Sequence, residues 1–541
     1  MTSERLAAVG RSLRSRAWLG VIVAALAPSA WFAWQNRHMP TLGNFSGDDG
    51  LYWVTAKSLA EGSGYRLPSF PGEPYQTKYP PLYPFLLSWV WKANPRFPDN
   101  LSLAAALAWL MVPIVVGAAG WFYRSLGWSW RVCALLCAVL ALHPLVAALG
   151  TMLLTELPFT ALCLASLCLA ARTSSALWPA ALAGGLAGLA FLTRTAGIVL
   201  LVSVPAGYCL GRRFRAAGAF SVAMAPFVAG WVLWAFSHKP PSADLLTLYY
   251  TDYLGYHSAM IAWRELPSVV WRNFGELLSA IGALLWVNPE GDFWLQWGGR
   301  LPALAAMAGC WRLARAGPGL QHGFFAAGLS LLLVVWHYPP SERFVAPLLP
   351  LVLAGAFVEV RHVSGLAVAA LRGSAASQRI VGALVLGGLV GAAVLALYLA
   401  AAAHWRYFPA WFEAARVHHQ QNLEAYRWIR GHLPERARLF AFNDTAVFLY
   451  TGRRASRIIV PTTFYYRTQP QGAREFLARF ERLAQPLGIH YILLTPADEY
   501  WGPLPARGRT ALREVLRKRR IPRLYRSPAG LEVYRLQPLE L

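Results

Sequence analysis

Apolar runs close to 20 residues long recur along the chain, and the short gaps between them carry arginine. A hydrocarbon core about 30 Å thick needs roughly 20 apolar residues per helix, so runs of this length predict membrane spans. Eleven segments fit: 17–34, 101–123, 131–149, 155–171, 177–192, 196–210, 216–236, 293–311, 323–336, 344–358 and 380–402. Two further apolar pieces, 82–91 and 277–287, are short and flanked by prolines or loops, which suits interfacial or re-entrant helices. With the amino terminus in the cytoplasm, the inner gaps hold Arg124, Arg131, Arg172, Arg212, Arg213, Arg215, Arg312, Arg315, Arg361, Arg372 and Arg379, and the one acid among them is Glu359. That asymmetry is what the positive-inside rule asks for. An odd number of crossings puts the carboxyl-terminal part outside. Were one of the two short pieces to span, every later segment would change sides and the arginines would face the wrong way.

From about residue 408 the pattern alternates between helical and strand-like periods. It predicts a helix at 413–432, a strand at 438–442, a short helix capped by Asn443 and running to 450, and a strand at 457–460. A helix at 471–487, a strand at 491–495, a helix at 510–519 and strands at 523–526 and 531–536 follow. The expected fold class is therefore a polytopic α-helical membrane protein of about eleven spans plus interfacial helices, with a C-terminal extracytoplasmic α/β domain. Residues 1–407 form the membrane module, with a long first outer loop at 36–100, and residues 408–541 form the outer domain.

Composition agrees, being 56% hydrophobic and only 14% charged over 541 residues. The net charge of +24 could suggest nucleic acid, but its arginines serve topology, so no nucleic-acid partner is expected. All six cysteines, at 133, 137, 163, 168, 209 and 310, lie within or at the ends of apolar stretches, leaving the outer parts no disulfide to form. Arg5, Arg11, Arg14 and Arg16 precede the first apolar run as in a signal peptide. With no small-residue cleavage site, and with Trp31, Phe32 and Trp34 closing the run, it reads as a retained span with an aromatic belt. The expected location is a bacterial inner membrane.

Candidate chemistry gathers in the outer loops. Gly47-Asp48-Asp49-Gly50 opens a stretch, 51–61, that reads as an amphipathic helix. Two adjacent carboxylates beside a low-dielectric membrane raise at least one pKa, as a general base requires; either acid could instead cap the helix. Lys78, in Tyr75-Gln76-Thr77-Lys78-Tyr79-Pro80-Pro81-Leu82-Tyr83-Pro84, could meet a lipid phosphate, with Tyr79 and Tyr83 at headgroup depth, or could be a snorkelling surface lysine. Glu156, in Thr155-Glu156-Leu157-Pro158, is costly at a span end unless it faces a polar cavity, though a helix-start acid is the plainer account. Arg194 and Arg343 lie outside, against the positive-inside trend, and Glu342 is a ready neighbour for Arg343. His418 and His419 are adjacent on an exposed helix and point apart, which reads as solvated side chains. Asn44-Phe45-Ser46 and Asn100-Leu101-Ser102 match the short glycosylation sequon.

These motifs, in this order, resemble the multi-spanning C-type glycosyltransferases. Asp48-Asp49 follows the first span, Ala56 to Gly62 lie in the loop helix, and Lys78 precedes Pro80-Pro81-Leu82-Tyr83-Pro84. Then come Thr155-Glu156-Leu157-Pro158-Phe159, Gly188-Leu189-Ala190-Phe191-Leu192-Thr193-Arg194, and Glu342-Arg343-Phe344 before Pro347. Within that group the chain is most similar to glycosyltransferase family 39, which includes protein O-mannosyltransferases and the enzymes that add aminoarabinose to lipid A. Trp428-Ile429-Arg430, Asp444 and Tyr450-Thr451-Gly452-Arg453 extend the likeness into the tail, while 238–300 is looser. The resemblance implies inverting transfer of a sugar from a polyprenyl-phosphate carrier to a lipid, glycan or protein acceptor on the outer face. It makes Asp48 the base, Asp49 its companion, Glu156 the acid beside them and Lys78 the phosphate contact. Arg194 and Arg343 join Lys78 from topology. Asp48, Asp49 and Glu156 could hold a hard cation through oxygen ligands, but the relatives imply no metal and no other cofactor.

Two other classes compete. A transporter or flippase would put ionisable residues near the midplane and show internal repeats, whereas these spans are almost free of charge and no repeat is evident. A non-catalytic scaffold would tolerate loss of the Asp48 carboxylate.

Overall fold

The computed structural model describes residues 3–43, 47–172, 176–241, 244–315, 319–466, 470–495 and 511–536. The Asn44 sequon, the residues around 500 and the start of the expected 510–519 helix lie outside them.

The chain opens with α1 (Ser3–Gln35), α2 (Asp48–Ala60), α3 (Leu82–Ala93), α4 (Leu101–Ser125), α5 (Trp130–Ala141), α6 (Pro144–Leu149) and α7 (Glu156–Ala170). It continues with α8 (Trp178–Thr193), α9 (Ile198–Leu210), α10 (Phe214–His238), α11 (Leu245–Thr251), α12 (Tyr253–Met260) and α13 (Leu266–Ala283). After these come α14 (Phe293–Arg315), α15 (Leu320–Val335), α16 (Glu342–Val345), α17 (Leu349–Leu371), α18 (Ala376–Ala402) and α19 (Phe408–His432). Among the described residues, five helices are long and apolar enough to cross a membrane, at Trp18–Gln35, Leu101–Ser125, Phe214–His238, Glu342–Leu371 and Ala376–His432, and five shorter ones are apolar too. The expected run at 131–149 is two helices, because Pro144 cannot continue α5 and starts α6 instead. The segment at 293–311 is a helix, α14, but not one of those ten apolar helices.

What these helices show to their surroundings is decisive. In α18 the one buried residue is Gly382, while Leu384 (71%), Leu397 (70%) and Val390 (63%) stand exposed. Burying each such side chain is worth about 1.5–3 kcal/mol, so a stripe of this kind is stable in lipid and not in water. The protein is an integral membrane protein.

Inside the bundle, helices approach through glycine. A Cβ on Gly309 of α14 would fall 1.9 Å from Gly355 O of α17, and one on Gly184 of α8 would fall 2.2 Å from Phe220 O of α10. Small residues let backbones touch where no hydrophobic effect drives association. Gly309→Val is expected to lower the melting temperature in detergent, at a cost of about 1–3 kcal/mol or more for overpacking, and differential scanning fluorimetry on the purified variant checks it.

The alternating helices sort the loops into two ends. One end gathers the arginines: Arg213 donates to Arg172 O (3.1 Å), and Arg312 pairs with Glu359 (2.7 Å). The other carries the first loop, α11–α13 and the C-terminal domain. The short apolar piece expected at 277–287 belongs to the longer α13, which lies across this second end. Its Asn273 donates to Val334 O and Trp336 O at the end of α15, and Leu284 O, just past it, lies 2.8 Å from His143 Nε2 in the α5–α6 break. Asn100, the second sequon asparagine, is fully buried at the start of α4 and donates to Asn94 O.

Helices α18 and α19 run on through a π-helical turn, Ala403–Tyr407, into the carboxyl-terminal domain. Its sheet comprises β1 (Arg438–Ala441), β2 (Arg454–Ser456), β3 (Tyr491–Leu494), β4 (Arg523–Arg526) and β5 (Glu532–Arg535), ordered β2-β1-β3-β5-β4. The first three strands are parallel and the last two antiparallel. The second strand lies just before the expected 457–460, and the helix expected at 471–487 is broken. Helix α20 (Asp444–Thr451) is capped by Asn443, as expected. His419 is not simply solvated, since its Nε2 lies 3.3 Å from the Tyr450 hydroxyl.

Candidate active site

Helix α2 starts at Asp48 because Gly47 adopts a left-handed backbone (φ 81°) there, and no side chain caps it. Both acids lie in its first turn, where the macrodipole favours negative charge, so neither is used as the cap. The helix is not amphipathic as expected. Residues 49–56 are buried, because bundle, loop and C-terminal domain enclose it.

Asp48 accepts from the Tyr79 hydroxyl (2.6 Å) and from Arg343 Nη2 (2.6 Å). Arg343 also donates through Nε to Glu156 Oε1 (2.5 Å), and Arg194 Nη1 donates to the same oxygen (2.6 Å). An alternating chain Asp48, Arg343, Glu156, Arg194 is thus assembled from α2, the start of α16, the start of α7 and the end of α8. Arg343 spans two acids because its planar fork presents several donors at once; these distant acids, and not the adjacent Glu342, are its partners.

Lys78 stands beside this chain. Its Nζ donates to Tyr249 O (2.6 Å) and lies 4.0 Å from the Tyr249 ring centroid and 5.1 Å from those of Tyr79 and Tyr253. It is buried, so it is not a snorkelling surface lysine. Tyr83 is likewise 1% exposed and packs edge-on against Tyr52 at 5.6 Å, inside the protein. Asp49 reaches back to the Gly43 N–H (3.1 Å). Among the described residues, Asp49 Oδ1, Glu156 Oε2 and the Tyr83 hydroxyl are buried without a hydrogen-bond partner, and unsatisfied polar atoms of this kind call for an explanation.

Environment separates the two neighbouring acids. Burial works to raise Asp48, but the Arg343 guanidinium, the Tyr79 hydroxyl and Lys78 outweigh it and hold the carboxyl at about 2. For Asp49 burial wins: with the Asp48 charge adding to it, it lifts the carboxyl to about 6 against the Gly43 and Gly50 N–H groups and the weaker pull of Arg343. Burial lowers the Lys78 ammonium to about 8, partly opposed by Asp48. Desolvation of buried ion pairs offsets most of what their pairing returns, so such a cluster points to chemistry. Among the described residues no three His, Cys, Asp or Glu side chains gather as metal ligands.

The tyrosines of 249–256 around Lys78 escaped the sequence reading. The available signal was four tyrosines in eight residues, Tyr249, Tyr250, Tyr253 and Tyr256, within a loop. Arg457, which links the C-terminal domain to the first loop, gave no signal at all.

No family model matches the chain, and no curated protein does. Solved structures do. An oligosaccharyltransferase from Archaeoglobus fulgidus, tethered to an acceptor peptide with an NVT sequon, superposes with a TM-score of 0.55 at 14% identity over 97% of this chain and 75% of its own. ArnT from Cupriavidus metallidurans bound to undecaprenyl phosphate gives 0.52 at 14% identity, over 96% and 98%. The chain has the C-type glycosyltransferase fold. The archaeal enzyme, AglB, in complex with an inhibitory peptide and a dolichol-phosphate, matches at 0.50 and 14% identity over 97% and 74%. The motif order read from the sequence therefore led to the right architecture.

Proposed function

We propose that the protein transfers a glycosyl group, with inversion, from a polyprenyl-phosphate-linked sugar to an acceptor hydroxyl or amine. The single observation behind this is the meeting of Asp48, Arg343, Glu156, Arg194 and Lys78, from separate parts of the chain, at one end of a membrane bundle. Neighbours of the same fold that bind undecaprenyl phosphate and dolichol-phosphate support a lipid-phosphate donor. With the arginine-rich end in the cytoplasm, the site would face the outside of a bacterial inner membrane. A flippase would want these charges near the midplane.

In the reaction, the acceptor oxygen or nitrogen attacks the anomeric carbon and gives its proton to Asp48. The bond from that carbon to the phosphate oxygen breaks, and the electron pair leaves with the polyprenyl phosphate. Phosphate is a good leaving group and needs no acid, only positive charge, which Lys78, Arg343 and Arg194 would supply without a metal. The low Asp48 pKa makes it a weak base while Arg343 holds it; a phosphate that draws Arg343 toward itself would make it a stronger one. Glu156 would orient the acceptor.

Radiolabelled polyprenyl-phosphate sugars, presented to the purified protein with extracted lipid and peptide acceptors, test the reading. Label should move to an acceptor, and a broad donor panel with neither transfer nor carrier hydrolysis sinks it. The free-enzyme groups set the pH dependence of kcat/KM. Ionisation of Asp49 near 6 adds negative charge beside the base and should raise kcat/KM, while loss of the Lys78 proton near 8 should lower it. A bell between these values is expected. Its acid limb should vanish in Asp49→Asn and its alkaline limb in Lys78→Arg.

A further inference from the structure

The loop that presents Asp48 to the bundle is held from the other side by the C-terminal domain. Arg457, just after β2, is 8% exposed. Its Nη2 donates to Gly43 O (2.7 Å), its Nε lies 3.5 Å from Asp444 Oδ1, and its backbone N–H donates to the Tyr250 hydroxyl (3.0 Å). That hydroxyl donates in turn to Asp444 Oδ2 (2.6 Å), so a residue of α11 completes the knot. The guanidinium presses on the loop at Gly47, where a Cβ would come within 2.4 Å of it. Two more contacts flank this one. Asn443 donates to Leu42 O (3.0 Å), and a Cβ on Gly50 would fall 2.1 Å from Thr445 Oγ1. Glycines 43, 47 and 50 are thus places where the domain lies against the loop backbone, and Gly43 passes the constraint on through its N–H to Asp49.

We propose that Arg457 is a positioning residue: locked to Asp444 and Tyr250, it fixes from the C-terminal domain the backbone that sets Asp48 against Arg343 and Tyr79. Its catalytic consequence rests on the transferase reading; the clamp itself does not. A planar guanidinium can hold an acid and a carbonyl at set angles, which an ammonium cannot.

The test compares Arg457→Gln with Arg453→Gln. Arg453 is equally buried in the same domain but donates within it, to Thr451 O, Arg430 O and Leu433 O. In Arg457→Gln, hydrogen exchange of the α2 amides should rise, and kcat should fall about 100-fold, the scale of a misplacement near 1 Å, with donor KM little changed. Arg457→Lys should recover thermal stability without recovering kcat. Arg453→Gln should lower the melting temperature and leave kcat and α2 exchange alone. If Arg457→Gln does not fold, Tyr250→Phe, which removes only a hydroxyl, should show a smaller change of the same kind. Unchanged α2 exchange and kcat in the folded variants overturn the proposal, and so does an equal fall of kcat in Arg453→Gln. If the wild-type protein transfers no sugar from any donor, the transferase reading fails, and the exchange comparison alone decides the clamp.

Discussion

Replacing Asp48 with Asn should cut sugar transfer by about 10²–10⁴-fold, the range that a positioned general base contributes, while the protein still folds and still binds polyprenyl phosphate. The amide keeps the volume of the acid, and its oxygen can still accept from Arg343 or the Tyr79 hydroxyl, which both reach Asp48 at 2.6 Å. It cannot take a proton. Arg343 keeps Glu156 at 2.5 Å, so the guanidinium is not left without an acid. Initial rates with labelled donor, alongside a melting curve and carrier binding, separate loss of chemistry from loss of structure. An Asp48→Asn protein that turns over within a few-fold of wild type removes Asp48 as the base.

The largest effect on stability is expected at Arg343. Arg343→Met keeps a long side chain but leaves Asp48 without its cation and Glu156, fully buried, with Arg194 alone. Removing one member of a buried ionic cluster costs about 3–5 kcal/mol, because a charge remains where water cannot reach it. The triple variant Arg343→Met, Asp48→Asn, Glu156→Gln should melt above Arg343→Met, since neutral amides carry a smaller desolvation penalty than unpaired carboxylates. Arg343→Lys should recover part of the stability but not the transfer rate, since an ammonium cannot span both acids as the fork does. Thermal unfolding in detergent measures all three, and a triple variant no more stable than the single one refutes the electrostatic account.

Much of the architecture was legible because lipid imposes a rule that reads along the chain. A span must be apolar for about 20 residues, and arginines mark the loops that stay behind. Segment 101–123 became α4 almost to the residue for that reason. Segment 277–287 covers only the end of α13 and the turn after it; the helix begins at Leu266, and Arg272, Asn273 and Glu276 interrupt its apolar positions, so only its last part stood out along the chain. The strand placed at 457–460 was drawn there by Ile458, Ile459 and Val460, yet pairing with β1 falls at Arg454 to Ser456; strand position follows the register of neighbours, not local apolarity.

By itself, then, the sequence determined that the chain lives in a membrane, which end of it gathers the arginines, and that Asp48, Lys78, Glu156, Arg194 and Arg343 share the opposite end. Hydropathy and charge are properties of each segment alone, so no folded neighbour was needed. Only the tertiary structure decided that Arg343 answers to Asp48 and Glu156 and not to Glu342, that the adjacent acids at 48 and 49 titrate apart, and that Arg457 reaches Gly43 from 414 residues away. The pairing and pKa of a buried charge depend on which groups exclude water around it, and those groups are brought together by packing, not by nearness in the chain.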